Sequence, residues 1–177
     1  NWTGFNWTND YVDEYYNGEW HNSSWEGVVT LAKSMNPKPI IQLKLRKTPT
    51  WIKNDSEQNS WYPVNENAYN DIRYTWKMIA TFLTSNMSYP ADKIVFSPVN
   101  EPTGNTNTTI AGSTLSYRLD NYAMIIRACR DGANDVNTSI RIEALHDNDD
   151  DWGLTRNFFA QNSSWSMHID ILSISTY

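Results

Sequence analysis

Helical and extended hydrophobic periodicities alternate along this chain, and that alternation limits its architecture more than any other feature of the sequence. Trp25, Val28, Val29, Leu31 and Ala32 recur at helical spacing, with Asn22 or Ser23 placed as N-cap, and predict a helix running to about Met35. Pro37 and Pro39 stop it. Residues 40–46 then alternate strictly, Ile41, Leu43 and Leu45 on one face and Gln42, Lys44 and Arg46 on the other, which is the period of a strand. Beyond a loop over residues 48–63, Tyr69, Ile72, Trp76, Ile79 and Leu83 mark the apolar stripe of a long amphipathic helix. The run Ile94, Val95 and Phe96 lies in a predicted strand over 92–97, followed by a helix over 114–128 with Leu115, Leu119, Tyr122 and Ile126. A strand over 140–145, a short helix over 151–160 and a strand over 169–174 complete the series.

Strands that alternate with helices pair in parallel, because each helix carries the chain back across a face of the sheet. Doubly wound sheets and (β/α) barrels share this pattern. The nucleotide-binding sheets usually carry a glycine-rich turn between strand and helix, whereas the 7 Gly residues here are scattered and no P-loop occurs. The predicted strands also place Lys44 and Arg46, Arg141 and Glu143, and Ser173 and Ser175 on a second face. A barrel interior with an ion-paired middle layer accommodates that set, and Lys44 or Arg46 is expected to meet Glu143 there, since an unpaired buried charge is costly. A partly exposed sheet edge is the other reading.

The chain has 177 residues, 40% of them hydrophobic and 19% charged, which suits one packed core. No repeat, linker or low-complexity segment divides it, so residues 1–177 read as a single domain. With 14 basic and 20 acidic side chains the net charge is -6, which excludes nucleic-acid binding driven by global charge. No apolar run approaches the roughly 18 residues of a membrane span. The opening Asn1-Trp2-Thr3 lacks an initiator Met and a leader pattern, and a processed form or fragment is expected.

Two biases point toward sugars and secretion. Nine Trp and ten Tyr among 24 aromatic residues supply ring faces of the kind that stack on sugars, or else fill core and rim. Sequons of the N-x-S/T type begin at Asn1, Asn6, Asn22, Asn54, Asn86, Asn107, Asn137 and Asn162, which fits a glycosylated, secreted protein; an Asn-rich genome raises the same count without glycans.

The hexapeptide Ser97-Pro98-Val99-Asn100-Glu101-Pro102 carries the most chemistry, because it falls where a predicted strand ends and a Thr/Asn/Gly-rich loop begins. Barrel enzymes hold catalytic groups at such ends. Pro102 biases Glu101 toward extended dihedrals, so its carboxyl projects from the strand end beside the Asn100 amide. Glycoside cleavage needs a carboxyl that first donates a proton and then accepts one. An isolated Asn-Glu-Pro is otherwise an ordinary turn.

At these residues the sequence resembles the clan A glycoside hydrolases, retaining (β/α)8-barrel enzymes whose fourth strand ends in Asn-Glu(-Pro) with the Glu as acid/base. Residues 47–54, Lys-Thr-Pro-Thr-Trp-Ile-Lys-Asn, are similar to the third-strand segment of family 30 within that clan, without its usual Trp-Ser-Pro-Pro opening. Residues 170–177, Asp-Ile-Leu-Ser-Ile-Ser-Thr-Tyr, look like its sixth strand, whose terminal aromatic, here Tyr177, sits beside the nucleophile. The resemblance implies a (β/α)8 TIM barrel of which this chain covers strands three to six, with a nucleophilic Glu past Tyr177. It implies hydrolysis of β-O-glycosidic bonds with retention, Glu101 as acid/base, Asn100 holding the sugar, and no cofactor.

A partner carboxylate within the chain has to occupy a strand end, about 5–5.5 Å away for retention and about 6.5–9.5 Å for inversion. Asp147 is the best internal candidate, and His146, Asp147 and Asn148 are expected to follow the strand ending at Leu145, as substrate contacts or as a plain surface turn. Asp149, Asp150 and Asp151 read as helix-capping carboxylates. No metal is expected: an EF-hand reading puts Trp152 at the glycine position and Phe158 at the bidentate Glu, which leaves the oxygen ligands of residues 147–151 only an irregular calcium site as the alternative, and His21, His146 and His168 have no zinc spacing. Cys129 falls within a helix and reads as buried filler.

Trp51 and Trp61 are first choices for sugar-stacking platforms, Trp20 and Trp152 second, each against the alternative of folding over the core; Trp76 is core. The rival to an enzyme is a non-catalytic carbohydrate-binding relative that keeps the rim aromatics. An unrelated parallel α/β enzyme, with Asn100-Glu101-Pro102 as a mere turn, predicts no binding of β-linked sugars. Half a barrel leaves two strand edges and an open apolar face, so this chain alone is expected to associate or dissolve poorly.

Overall fold

A computed structural model describes residues 22–44, 66–99, 115–147 and 153–174. In chain order these form α1 (Asn22–Ser34), β1 (Ile41–Lys44), α2 (Tyr69–Thr81), β2 (Ile94–Ser97), α3 (Leu115–Asn134), β3 (Arg141–Asp147), α4 (Gly153–Gln161) and β4 (Ile171–Ile174). A π-helical turn, Phe82–Asn86, extends α2, and 3₁₀ turns precede α2, β2 and β4. The strands make one sheet in the order β1-β2-β3-β4, and every pairing is parallel. Among the described residues, strand order therefore follows chain order, without the reversal that marks a doubly wound sheet.

The periodicities seen in the sequence explain which face is covered. One hydrophobic cluster joins Ile41, Ile94, Phe96, Ile142 and Ala144 of the strands to Val29 and Ala32 of α1, Trp76 and Ile79 of α2, Tyr122 and Ile126 of α3 and Phe158 of α4. All four helices thus contribute to the cluster on a single face of the sheet. The Trp76 ring lies 4.7 Å from that of Phe96, and Phe158 meets Tyr122 edge-on at 5.7 Å. Side chains of this size each contribute about 1.5–3 kcal/mol when fully buried. Val28 and Leu31 of α1, by contrast, are exposed, so only part of its predicted apolar stripe is used.

Strand residues alternate faces. Val95, Ser97 and Glu143 therefore point away from the helix-covered side, and all three are nonetheless buried. Among the described residues β1 and β4 are the sheet edges, and Leu172 of β4 is 48% exposed.

α3 runs to Asn134, well past the expected end near Ala128. Its last turns lose the apolar rhythm because they are held by α2. Gly132 lies so close to α2 that an added Cβ comes within 2.3 Å of the Arg73 carbonyl oxygen. Around it Arg73 donates two hydrogen bonds to the Asp135 carboxylate, at 2.7 and 3.1 Å, and the Tyr69 hydroxyl donates to Asp131. These bonds hold the Asp135 carboxyl below its ordinary pKa, and burial followed by Asp131 raises the Tyr69 phenol. Gly132→Ala is expected to force the helices apart and cost about 2 kcal/mol, read as a lower urea midpoint at unchanged m-value.

At the other side of α3, Arg130 is a buried tie between helix and sheet. Its guanidinium donates to the Ile140 carbonyl (3.4 Å), the His168 carbonyl (3.3 Å) and the Asp170 carboxylate. Asp170 Oδ2 also accepts from the Ile142 amide at 2.7 Å, while the Asp170 amide donates to the Ile142 carbonyl at 2.9 Å. This clamp uses Asp170, and the Ile169 amide closes the preceding turn on the Ser166 carbonyl at 3.1 Å, so β4 begins at Ile171 and not at Ile169 as its apolar pattern predicts. The 3₁₀ turn Ser163–His168 before it carries neither strand nor helix periodicity; Asn162 caps it by accepting from the Ser164 amide, and Trp165 packs on Phe158 at 4.6 Å.

His168, at the end of that turn, has its pKa lowered first by burial; Asp131 opposes this, and Arg127 and Arg130 add to it. The folded chain therefore takes up the proton at lower pH than the unfolded one. The stability this group provides is complete above the unfolded value of about 6.5 and is lost as pH falls through the folded value. Thermal melts from pH 7.5 downward are expected to show a loss of Tm below pH 6.5 that is shallower in His168→Gln.

Candidate functional site at the carboxyl ends of the strands

Because the strands are parallel, their last residues, Lys44, Ser97, Asp147 and Ile174, all lie toward one end of the sheet. Chain leaving that end is where open and closed parallel sheets gather ligand-binding groups. β2 ends at Ser97; Pro98 and Val99 are buried, and Asn100 and Glu101 are the next two residues of the chain. The Asn-Glu-Pro sequence thus begins two residues beyond the end of an interior strand, which has β1 paired on one side and β3 on the other.

Asn100, Glu101, Trp51, Trp61 and Tyr177 lie outside the described residues, as do Arg46, Trp20, Trp152 and the run Asn148 to Asp151. His146 and Asp147 are the last two residues of β3, so they belong to the strand and do not follow it as the sequence suggests. The cause is continued pairing with β4. Register runs Glu143 to Ile171 and Ala144 to Leu172, then shifts so that Asp147 pairs with Ile174, three residues of β3 against two of β4. Such a bulge bends a strand and re-aims its side chains, and bulges recur beside active sites.

A polar row crosses the second face just below this end. Lys44 pairs with Ser97, and continuing the β2–β3 register by one residue from Phe96 and Ile142 brings Ser97 level with Glu143. Lys44 and Glu143 are therefore on the same face two strand spacings apart, about 9.6 Å between backbones. Both make interactions, and Glu143 is 4% exposed. Between them the Ser97 hydroxyl is fully buried with no hydrogen-bond partner among the described residues. Buried polar atoms of this kind are few in folded proteins and tend to mark functional or solvated places.

Sequence reasoning overlooked the Arg130–Asp170 tie, although its signal was present in an arginine set between the buried Ile126, Cys129 and Ala133 of one helix. That tie supports the sheet away from the carboxyl ends. Cys129 is free and fully buried, and burial raises its thiol well above the ordinary value, so it has no nucleophilic character. No group of three His, Cys, Asp or Glu suited to a metal occurs among the described residues. No helix among them is long and apolar enough to cross a membrane.

These elements define a mixed α/β protein built on a parallel sheet of sequential strand order. No family model, curated protein or solved structure matches the chain.

Proposed function

We propose that this chain is part of a secreted, retaining β-glycosidase, forming strands three to six of a (β/α)8 barrel. The observation that carries the reading is the position of Asn100-Glu101-Pro102 in the sequence, two residues beyond the carboxyl end of β2, an interior strand of a sequentially ordered parallel sheet. The bulge at the end of β3, the polar row beneath the same end and the eight sequons support it.

In this reading Glu101 starts protonated and donates to the glycosidic oxygen as the anomeric C–O bond breaks. A carboxylate from a strand past Tyr177 attacks the anomeric carbon, giving a covalent glycosyl-enzyme. Glu101, now ionised, takes a proton from water, whose oxygen displaces the nucleophile. Two inversions leave the anomeric configuration as it began. Asn100 holds a sugar hydroxyl through its amide, Trp51 and Trp61 stack on sugar rings, and His146, Asp147 and Tyr177 complete the substrate contacts.

The test is to incubate the full-length gene product with a panel of β-linked oligosaccharides and follow the first product by proton NMR before mutarotation. A β-anomer appearing first supports the proposal. An α-anomer refutes the retaining mechanism, binding without product favours a non-catalytic carbohydrate-binding relative, and neither binding nor product refutes the sugar reading altogether.

A further inference from the structure

Three sequons fall among the described residues with their side chains in view: Asn86-Met87-Ser88, Asn137-Thr138-Ser139 and Asn162-Ser163-Ser164, and all three asparagines are exposed. Each occupies the same point of its helix–strand unit. Asn86 ends the π turn between α2 and β2, Asn137 lies between α3 and β3, and Asn162 between α4 and β4. In a parallel sheet every helix-to-strand connection returns to the amino-terminal ends of the strands. The three sequons therefore share one end of the molecule, opposite the carboxyl ends described above.

Local geometry suits the acceptor role. Asn137 Oδ1 accepts the Ser139 amide at 2.9 Å, and Asn162 Oδ1 accepts the Ser164 amide at 3.0 Å and the Ser164 hydroxyl at 2.7 Å. In both, the carbonyl oxygen is committed to the turn, which leaves Nδ2, the atom that bears a glycan, for solvent. At the third site the chain reverses through Ser88, with φ 53°, and the Met87 amide bonds back to the Phe82 carbonyl at 2.9 Å, leaving Asn86 on the outside of the turn. Asn121, an asparagine outside any sequon, is by contrast 5% exposed within α3.

We propose that Asn86, Asn137 and Asn162 carry N-linked glycans that coat the amino-terminal end of the sheet. The donor is an oligosaccharide on a lipid pyrophosphate. Nδ2 bonds to its anomeric carbon, the anomeric C–O bond breaks with the electron pair leaving on the pyrophosphate, and the amide gives up one proton to the transferase. This inference rests on the secretory part of the proposed function and not on hydrolysis.

The test expresses the full-length protein behind a cleavable leader in a eukaryotic host and recovers it from the secretory pathway. Release with peptide N-glycosidase in ¹⁸O-labelled water and peptide mass mapping then mark each occupied site. The expected result is labelled Asp at positions 86, 137 and 162, with one glycan lost from the intact mass for each of Asn86→Gln, Asn137→Gln and Asn162→Gln. Unlabelled Asn at these positions in the recovered protein overturns the proposal. A fully glycosylated protein that hydrolyses no β-glycoside overturns the glycosidase reading and leaves this one standing.

Discussion

Glu101→Gln in the full-length protein is expected to lower kcat for unactivated β-glycosides by about 10²–10⁴-fold, the usual contribution of a positioned general acid/base. Glutamine keeps the size and hydrogen-bonding reach of the side chain but has no proton to give a departing alkoxide. Binding of the intact substrate is expected to change little, since the lost interaction belongs to the transition state. The effect should depend on the leaving group. A nitrophenolate departs without protonation, so formation of the glycosyl-enzyme from an activated aryl β-glycoside is expected to survive, while its hydrolysis, which needs the ionised carboxylate, slows. Equal losses of kcat/KM, which reports formation of the glycosyl-enzyme, on activated and unactivated substrates contradict an acid/base role, and unchanged turnover removes Glu101 from the chemistry.

Arg130→Ala is expected to cost about 3 kcal/mol, the lower end of the range for breaking a buried ion pair, because Asp170 keeps some contact with water. The Arg130 side chain is 10% exposed and that of Asp170 37%. Removing the guanidinium strands the Ile140 and His168 carbonyls and the Asp170 carboxylate together, and Asp170 is what ties β4 to the Ile142 amide. Arg130→Met, which refills much of the volume, separates packing from polar loss and is expected to recover only part of the deficit. Urea denaturation reads both; a loss below about 1 kcal/mol for Arg130→Ala shows that the tie is replaceable by water.

Much of the fold was legible because its strands and helices use different periods. The strict alternation of Ile41, Gln42, Leu43 and Lys44 and the stripe of Ile72, Trp76, Ile79 and Leu83 appear in the structure as strand and helical turns, with Leu43 partly buried against the core and the other apolar residues buried in it. The end of α3 was not legible. The helix continues past Ala128 through Gly132, a glycine whose place inside it is explained only by contact with the α2 backbone. Nor was the start of β4, where Ile169 and Asp170 fit a strand pattern but Ile169 closes the preceding 3₁₀ turn and Asp170 is spent on the Arg130 clamp. The β3 bulge has no local signature, since it arises from pairing with β4, and it moved His146 and Asp147 from an expected loop into the strand. The parallel pairing of the sheet follows from alternation, whereas the role of Glu101 rests on a three-residue motif whose strand-end context the structure supplies as far as Val99.

The pH dependence of kcat/KM on an unactivated β-glycoside, measured for the full-length protein and for Glu101→Gln, tests the acid/base assignment at the group itself. The wild type is expected to give a bell, whose acid limb reports ionisation of the nucleophile and whose alkaline limb reports loss of the Glu101 proton. The variant is expected to keep the acid limb and lose the alkaline one, with its residual rate flat above the optimum. An alkaline limb that persists unchanged in Glu101→Gln assigns the proton to another residue and contradicts the role proposed for Asn100-Glu101-Pro102.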